Sequence, residues 1–435
     1  MSYEVTIGVI GLAFMFVVFL SGIELAFGMA ALGFVGFGFL VDFKVASNLL
    51  VKDFFDTFTT YSFTVIPLFV LMGQIASNSN VAKRLYDGAH KYVGHIPGGL
   101  AMTTVVGATL FKAMCGSTLA TAATFSGLAI PEMNRYKYSK TLSAGVVASV
   151  GTLGLLIPPS LTLIIFGIIT EQSIGRLFLA GIFPGLIISA LFMVVIFGWA
   201  TINPKIAPAA KKATWKERIR ALPELLWVAM VFGLVIGGMM MGIFSPTEAG
   251  TMGTVGVLIL VAVRRDVSFK MLVKSFDESL RTACMVLLLI YGSQVLGHFL
   301  AITEIPFVTA DWVAGLQLPR ELIVVIVMFI YLIGGSFMDD LAFMILATPI
   351  LYPAIMKLGY DPIWFGILVA VTLMIGVIIP PIAISVFIVK NITGLPFGTI
   401  YKGVVPFLLS FVICGALLFL FPQIALFLPN LFMGR

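Results

Sequence analysis

Residues 154–160 read GLLIPPS, and 222 positions further on residues 376–381 read GVIIPP. Each double proline lies inside an apolar run of more than spanning length, roughly 141–171 and 361–391. Proline has no N–H to donate, and its ring clashes with the turn before it, so each run reads as a helix broken at mid-depth. The break releases main-chain carbonyls where lipid offers no partner. Irregular backbone at that depth is tolerated only when buried in protein or facing a watery cavity.

The correspondence extends outward from the prolines. Gly154, Ile157, Pro158, Pro159, Gly181 and Pro184 match Gly376, Ile379, Pro380, Pro381, Gly403 and Pro406 at one offset, and LLVKDF (49–54) matches MLVKSF (271–276) at the same one. Gly116-Ser117 matches Gly335-Ser336 at 219, so one small indel separates the blocks. These pairs sit in CGSTLAT (115–121) and GGSFMDD (334–340), small-polar clusters that interrupt apolar stretches at about 97–133 and 320–356. Both stretches read as re-entrant hairpins that turn inside the membrane.

Further spans are expected at 5–22, 24–41, 60–78, 175–201, 223–243, 247–263, 279–302 and 402–428, with amphipathic connecting arms near 48–58, 80–94, 268–278 and 306–315. Five full spans separate residue 50 from residue 272, an odd number, so the two repeats are inverted and one hairpin enters from each face. The organisation expected is N-terminal scaffold helices over 1–48, a first inverted repeat over 49–202, and a basic connector over 203–223. Scaffold helices over 224–270 and a second repeat over 271–435 complete it. The fold class is an all-α polytopic membrane protein with an inverted repeat, two re-entrant hairpins and two broken helices, the architecture of secondary transporters.

Composition agrees. Of 435 residues, 60% are apolar and 11% charged, and mean hydropathy is +1.11. A soluble interior cannot hide that much apolar surface, whereas a bilayer solvates it. Soluble enzymes, secreted disulfide scaffolds and nucleic-acid binders are excluded; the net charge of +6 marks a membrane face instead. With the N-terminus outside, cytoplasmic segments hold nineteen of the 26 basic residues, including Lys83, Arg84, the run from Lys205 to Arg220, and Arg264 to Arg281. Both termini are therefore expected on the periplasmic side. Cys115, Cys284 and Cys414 lie in apolar runs with no metal or disulfide spacing. No GxxxxGK[ST] loop supports a self-contained ATP pump.

Carbonyls freed at the double prolines, beside the hydroxyls of Ser117, Thr118 and Ser336, suit a small hard cation such as Na+. Asp339, at the second tip with Asp340, either adds negative charge to such a site or caps the half-helix that follows. An intramembrane aspartyl protease needs a second acid from another span, and no other apolar span carries an aspartate. Lys112, four residues before Gly116, either draws an anionic substrate or snorkels toward the cytoplasmic face. His298 reads as a packing or interfacial residue.

CGSTLATAATFSGLAIPEM (115–133), GLLIPPSLTLIIFGIITEQSIGRLFLAGIFPGL (154–186), GSFMDDLAFMILATPILYPAIMKLGYDPIWFGI (335–367) and GVIIPPIAISVF (376–387) resemble the large membrane subunit of tripartite ATP-independent periplasmic (TRAP) transporters, the DctM-like family. The resemblance implies an elevator-type, sodium-driven importer of a small organic anion, a carboxylate or sulfonate, in the bacterial inner membrane, and not an enzyme; the alternative is a stand-alone Na+/organic anion symporter of the same fold without a binding protein. The importer's implied partners are a separate small four-helix DctQ-like membrane subunit and a periplasmic DctP-like binding protein. Carried over residue by residue, it implies at least two Na+ sites. The first falls on Gly116, Ser117, Gly154, Ile157 and Pro158, and the second on Gly335, Ser336, Asp339, Gly376, Ile379 and Pro380. Substrate is expected between the tips, at Ser117, Thr118, Thr121, Ser336, Asp339 and Lys112. The family often has Ser where this chain has Cys115 and Thr where it has Ile379, changes that spare backbone ligation.

Overall fold

A computed structural model describes residues 3–434. The first half runs α1 (Tyr3–Leu20), α2 (Leu25–Leu40), α3 (Phe43–Thr59), α4 (Val65–Asn78), α5 (Val81–Val93), α6 (Gly99–Lys112), α7 (Thr118–Arg135), α8 (Lys140–Gly151), α9 (Leu161–Ile169) and α10 (Ile174–Ile202). The second runs α11 (Trp215–Met240), α12 (Pro246–Val263), α13 (Phe269–Ile302), α14 (Ile305–Ala314), α15 (Arg320–Phe337), α16 (Asp340–Lys357), α17 (Pro362–Gly376), α18 (Ile384–Thr393), α19 (Phe397–Leu420) and α20 (Gln423–Met433). No strand occurs among the described residues. Among the described residues, eight helical segments are long and apolar enough to cross a membrane.

The hairpins are α6–α7 and α15–α16, and the broken helices are α8–α9 and α17–α18. Their interruptions hold cis peptide bonds at Pro158-Pro159 and Pro380-Pro381. Hydrogen bonds show the inversion. Both ends of the first hairpin meet the chain just past the C-terminus of α10, where Gly98 N donates to Ala207 O at 3.2 Å and Ser139 N to Ile206 O at 2.9 Å. The outgoing arm of the second hairpin meets the other end of α10, where Gln172 Nε2 donates to Tyr352 Oη at 3.3 Å. A helix of 29 residues is about 43 Å long at 1.5 Å per residue, so the two bases lie a membrane apart.

Packing repeats the symmetry. In the scaffold α2 lies on α13 while α4 lies on α12; at the centre α7 crosses to α18 while α16 crosses to α9. Ser385 Oγ ties the halves together by donating to Ala148 O at 2.7 Å. Helices in lipid gain no hydrophobic drive from meeting one another, so they associate through close backbone packing at small residues. At the α8–α19 crossing a Cβ on Gly403 would collide with Thr141 O and Gly145, so the two backbones touch.

Three boundaries differ from the sequence expectation. α11 starts at Trp215, inside the expected connector, because Thr214 and Glu217 form a reciprocal capping box. The expected arm at 268–278 is the first part of the 34-residue α13 rather than a separate helix. The expected span at 402–428 is interrupted at Phe421, which is extended before Pro422 as pre-proline sterics favour.

Gly403→Ala should lower the thermal midpoint of the detergent-purified protein by several degrees, an overpacking cost of about 1–3 kcal/mol. Gly127→Ala, whose new Cβ meets nothing within 4 Å, should leave the midpoint unchanged or raise it.

Candidate ion and substrate site

Each hairpin tip seats in the break of its own half. At the second tip a Cβ on Gly376 would lie 2.8 Å from the Gly335 carbonyl carbon and 3.2 Å from Ser336 N. Only glycine permits that approach. Ile382 N donates to Ser336 O at 3.1 Å, locking the tip to the far side of the double proline. At the first tip a Cβ on Gly116 would strike Pro159 O. Among the described residues, no hydrogen bond ends on the carbonyls of Ile157, Pro158 and Pro159, or on those of Ile378, Ile379, Pro380 and Pro381. These bare oxygens are what the broken-helix reading anticipates.

The two tips differ in charge. Asp339 caps α16, its Oδ1 accepting from Leu341 N at 3.1 Å and Ala342 N at 3.4 Å. Asp340 follows it, is buried, and faces Thr162 of α9 across the repeat boundary. Ser336 Oγ donates to Ile333 O at 2.7 Å, leaving its lone pairs open to a cation. With the free carbonyls of the 378–381 break, this donor set suits an alkali cation. It does not suit a transition metal: the described residues hold no group of three or more His, Cys, Asp or Glu.

The first tip has the opposite sign. Its cap is a neutral serine: Ser117 Oγ accepts from Ala120 N at 3.2 Å. Lys112 does not snorkel. It is fully buried, and its Nζ donates to Ser117 O at 2.8 Å beside Gly154, where a Cβ would collide with the ammonium. Ser117 O also accepts from Thr121 Oγ1 at 3.1 Å and Thr121 N at 3.2 Å. That carbonyl accepts all three of these hydrogen bonds.

Two spaces with polar groups in their walls lie beside the hairpins and broken helices. A pocket of about 20 Å³ separates Cys115, Gly116 and Ser117 from Gly73, Gln74 and Thr282, with Pro159 and Leu161 as its wall. A cavity of about 610 Å³ opens nearer the N-terminal end of α10, between Ser293, Gln294 and Gly297 of α13, Gly167 of α9, and Glu171 and Gln172 just beyond α9. Of the residues expected to hold substrate, only Ser117 lines either space; Thr118, Thr121 and Ser336 are buried within the tips. Sequence reasoning missed Gln74, Thr282, Gln172 and Gln294, since an amide or hydroxyl in an apolar helix carries no signal until its neighbours are known. It also missed the pairing of His298 Nε2 with Asp53 Oδ2 at 2.9 Å, which joins α13 to α3.

The sequence matches the family described as "Tripartite ATP-independent periplasmic transporter, DctM component" over residues 12–424. It is similar to the C4-dicarboxylate TRAP transporter large permease protein DctM of Pseudomonas aeruginosa, 35% identical over 88% of this chain and 89% of that one. The sialic acid TRAP transporter large permease protein SiaM of Vibrio cholerae is 30% identical over 92% of this chain and 94% of its own. The fold is similar to that of the YdaH transporter of Alcanivorax borkumensis, with a TM-score of 0.63 at 14% identity over 87% of this chain and 88% of that one.

Asp339→Ala should cost about 1 kcal/mol of stability through loss of the α16 cap, whereas Asp339→Asn keeps a capping oxygen and should cost only a few tenths. Thermal midpoints of the two variants against the parent check this.

Proposed function

From the premise that the chain belongs to the DctM family of TRAP transporter components, we propose that it is the large permease subunit of a sodium-coupled importer of a small organic acid anion. The observation that carries the coupling is the second tip. Buried Asp340, half-buried Asp339, a serine hydroxyl and bare carbonyls converge there, and uncompensated carboxylates in the membrane are costly enough to call for a cation. The anion class follows from relatives that take C4-dicarboxylate and sialic acid, both carboxylates. The membrane is the bacterial inner membrane, with both termini periplasmic as the basic connector and loops indicate. The cavity of about 610 Å³ then opens to the periplasm and is large enough to admit such an anion.

The partners are a small DctQ-like membrane subunit and a periplasmic DctP-like binding protein. The hairpins with their broken helices form a transport unit, and α1 to α4 with α11 to α13 form the scaffold it moves against. Substrate moves from that cavity toward the first tip, where Ser117 faces Gln74 and Thr282 across a pocket of about 20 Å³ that has to widen to take it. The drive is the inward Na+ gradient, to which the potential adds roughly 2.3 kcal/mol per 100 mV only for each net positive charge carried inward.

The test is uptake into proteoliposomes holding this chain and its small partner, with and without loaded binding protein and an inward Na+ gradient. Accumulation that needs both is expected. Uptake indifferent to Na+ overturns the coupling, and uptake indifferent to the binding protein overturns the tripartite assembly. In the same vesicles Asp339→Asn, which keeps the cap, should raise the Na+ needed for half-maximal uptake at least tenfold, or ~1.4 kcal/mol.

A further inference from the structure

The repeat places equivalent residues at the two tips, and their charges are opposite. At the 219 offset Lys112 corresponds to Tyr331, whose hydroxyl lies 3.0 Å from Thr348 Oγ1, and Thr121 corresponds to Asp340. One tip therefore carries a basic side chain and the other two acidic ones. The basic side chain sits inside the structure. Lys112 has no exposed surface, its Nζ is bonded to Ser117 O at 2.8 Å, and it occupies the space against Gly154. These are the atoms the sequence expectation assigned to a first sodium ion.

We propose that the Lys112 ammonium is a tethered cation that takes the place of a sodium ion at the first tip, leaving the second tip as the alkali-cation site of the chain. This rests on the sodium-coupled import proposed above and changes its stoichiometry. An ammonium and a sodium ion ask the same of a buried site, which is oxygen acceptors arranged round a point charge. Burying an ammonium without them costs several kcal/mol. Here the acceptor is Ser117 O, with the ammonium seated against Gly154 of the broken helix. Compensating charge comes from across the repeat boundary, where Asp340 and Lys112 lie within electrostatic range of one another. A direct role in gripping substrate fits less well, because neither cavity beside the tips is lined by Lys112.

A tethered cation holds the first tip folded whether or not external sodium is present. A sodium ion at the same place would leave with each cycle. The first tip should therefore be insensitive to sodium, and uptake should depend on it with a Hill coefficient near one.

The experiment counts bound sodium per chain by equilibrium dialysis with radioactive sodium on the intact complex in nanodiscs, and compares it with Lys112→Ala. One sodium for the parent and two for the variant are expected, the variant having opened the cage. Lys112→Met, which fills the space without charge, should bind one, and its uptake should fall at least tenfold with no rescue by added sodium. Two sodium ions bound with Lys112 present overturn the proposal, and so does a count that stays at one in a folded Lys112→Ala protein. Where that variant fails to fold, the parent's count and Hill coefficient decide alone. A parent that binds none overturns the coupling reading itself, and this inference with it.

Discussion

A peptide carbonyl without a partner costs free energy of several kcal/mol in hydrocarbon, and this chain keeps such carbonyls bare at two places in its centre. Most of the architecture follows from having to accommodate them. The broken helices cannot face lipid, so other elements must surround them. Each hairpin tip approaches through glycine until backbone meets backbone, at Gly116 against Pro159 and at Gly376 against Gly335. Helices from the opposite repeat close the remaining sides, α18 against α7 and α9 against α16. Neither half can satisfy its own break alone. The duplication is thus held together by a polar problem rather than by an apolar core, which in a bilayer would give little reason for two halves to meet.

The crossed packing also explains how two nearly equivalent tips acquire different chemistry. Because the tips are joined across the repeat boundary, charge placed in one is felt in the other. Lys112 and Asp340 are far apart in sequence and belong to different hairpins, yet they lie within electrostatic range of one another inside one buried unit. A symmetric pair of lysines or of acid doublets would repel across that boundary in a medium that screens poorly. Divergence between the copies relieves the strain that an unmodified duplication would impose.

What could be read from the sequence was what the backbone dictates. The double prolines and the Gly-Ser tips announce themselves because proline and glycine act locally, and the hairpins run from Gly99 to Arg135 and from Arg320 to Lys357, within two residues of where the interruptions placed them. Capping at Asp339 was legible for the same reason. Contacts made by side chains over long distances were not legible. Lys112 offered two destinations, the substrate and the interface, and it does not reach the interface because its Nζ is held by a carbonyl five residues on. His298 looked like packing until α3 brought Asp53 to it. Gln74 and Thr282 lie on different helices and gain meaning only where those helices meet the first tip. The early start of α11 was written locally, in Thr214 and Glu217, but it was outweighed by the basic, proline-containing composition around it.

A duplicated chain has two copies of everything except the joint between them. Here the joint has become structural: Pro204 to Ala210 takes main-chain hydrogen bonds from Gly98 and Ser139, gives one from Ala210 to Gly94, and accepts the Tyr138 hydroxyl at Pro208. The second hairpin has no counterpart. Its base is held by side chains, with Arg320 over the Tyr360 ring and Lys357 beside Asp311, all at the exposed rim. Backbone bonds are indifferent to ionic strength, whereas exposed charges are screened by it. The two ends of an otherwise symmetric machine therefore differ in stiffness. Salt should loosen the second hairpin and leave the first alone, so the medium on one side of the membrane acts on the mechanics of the protein and the medium on the other does not.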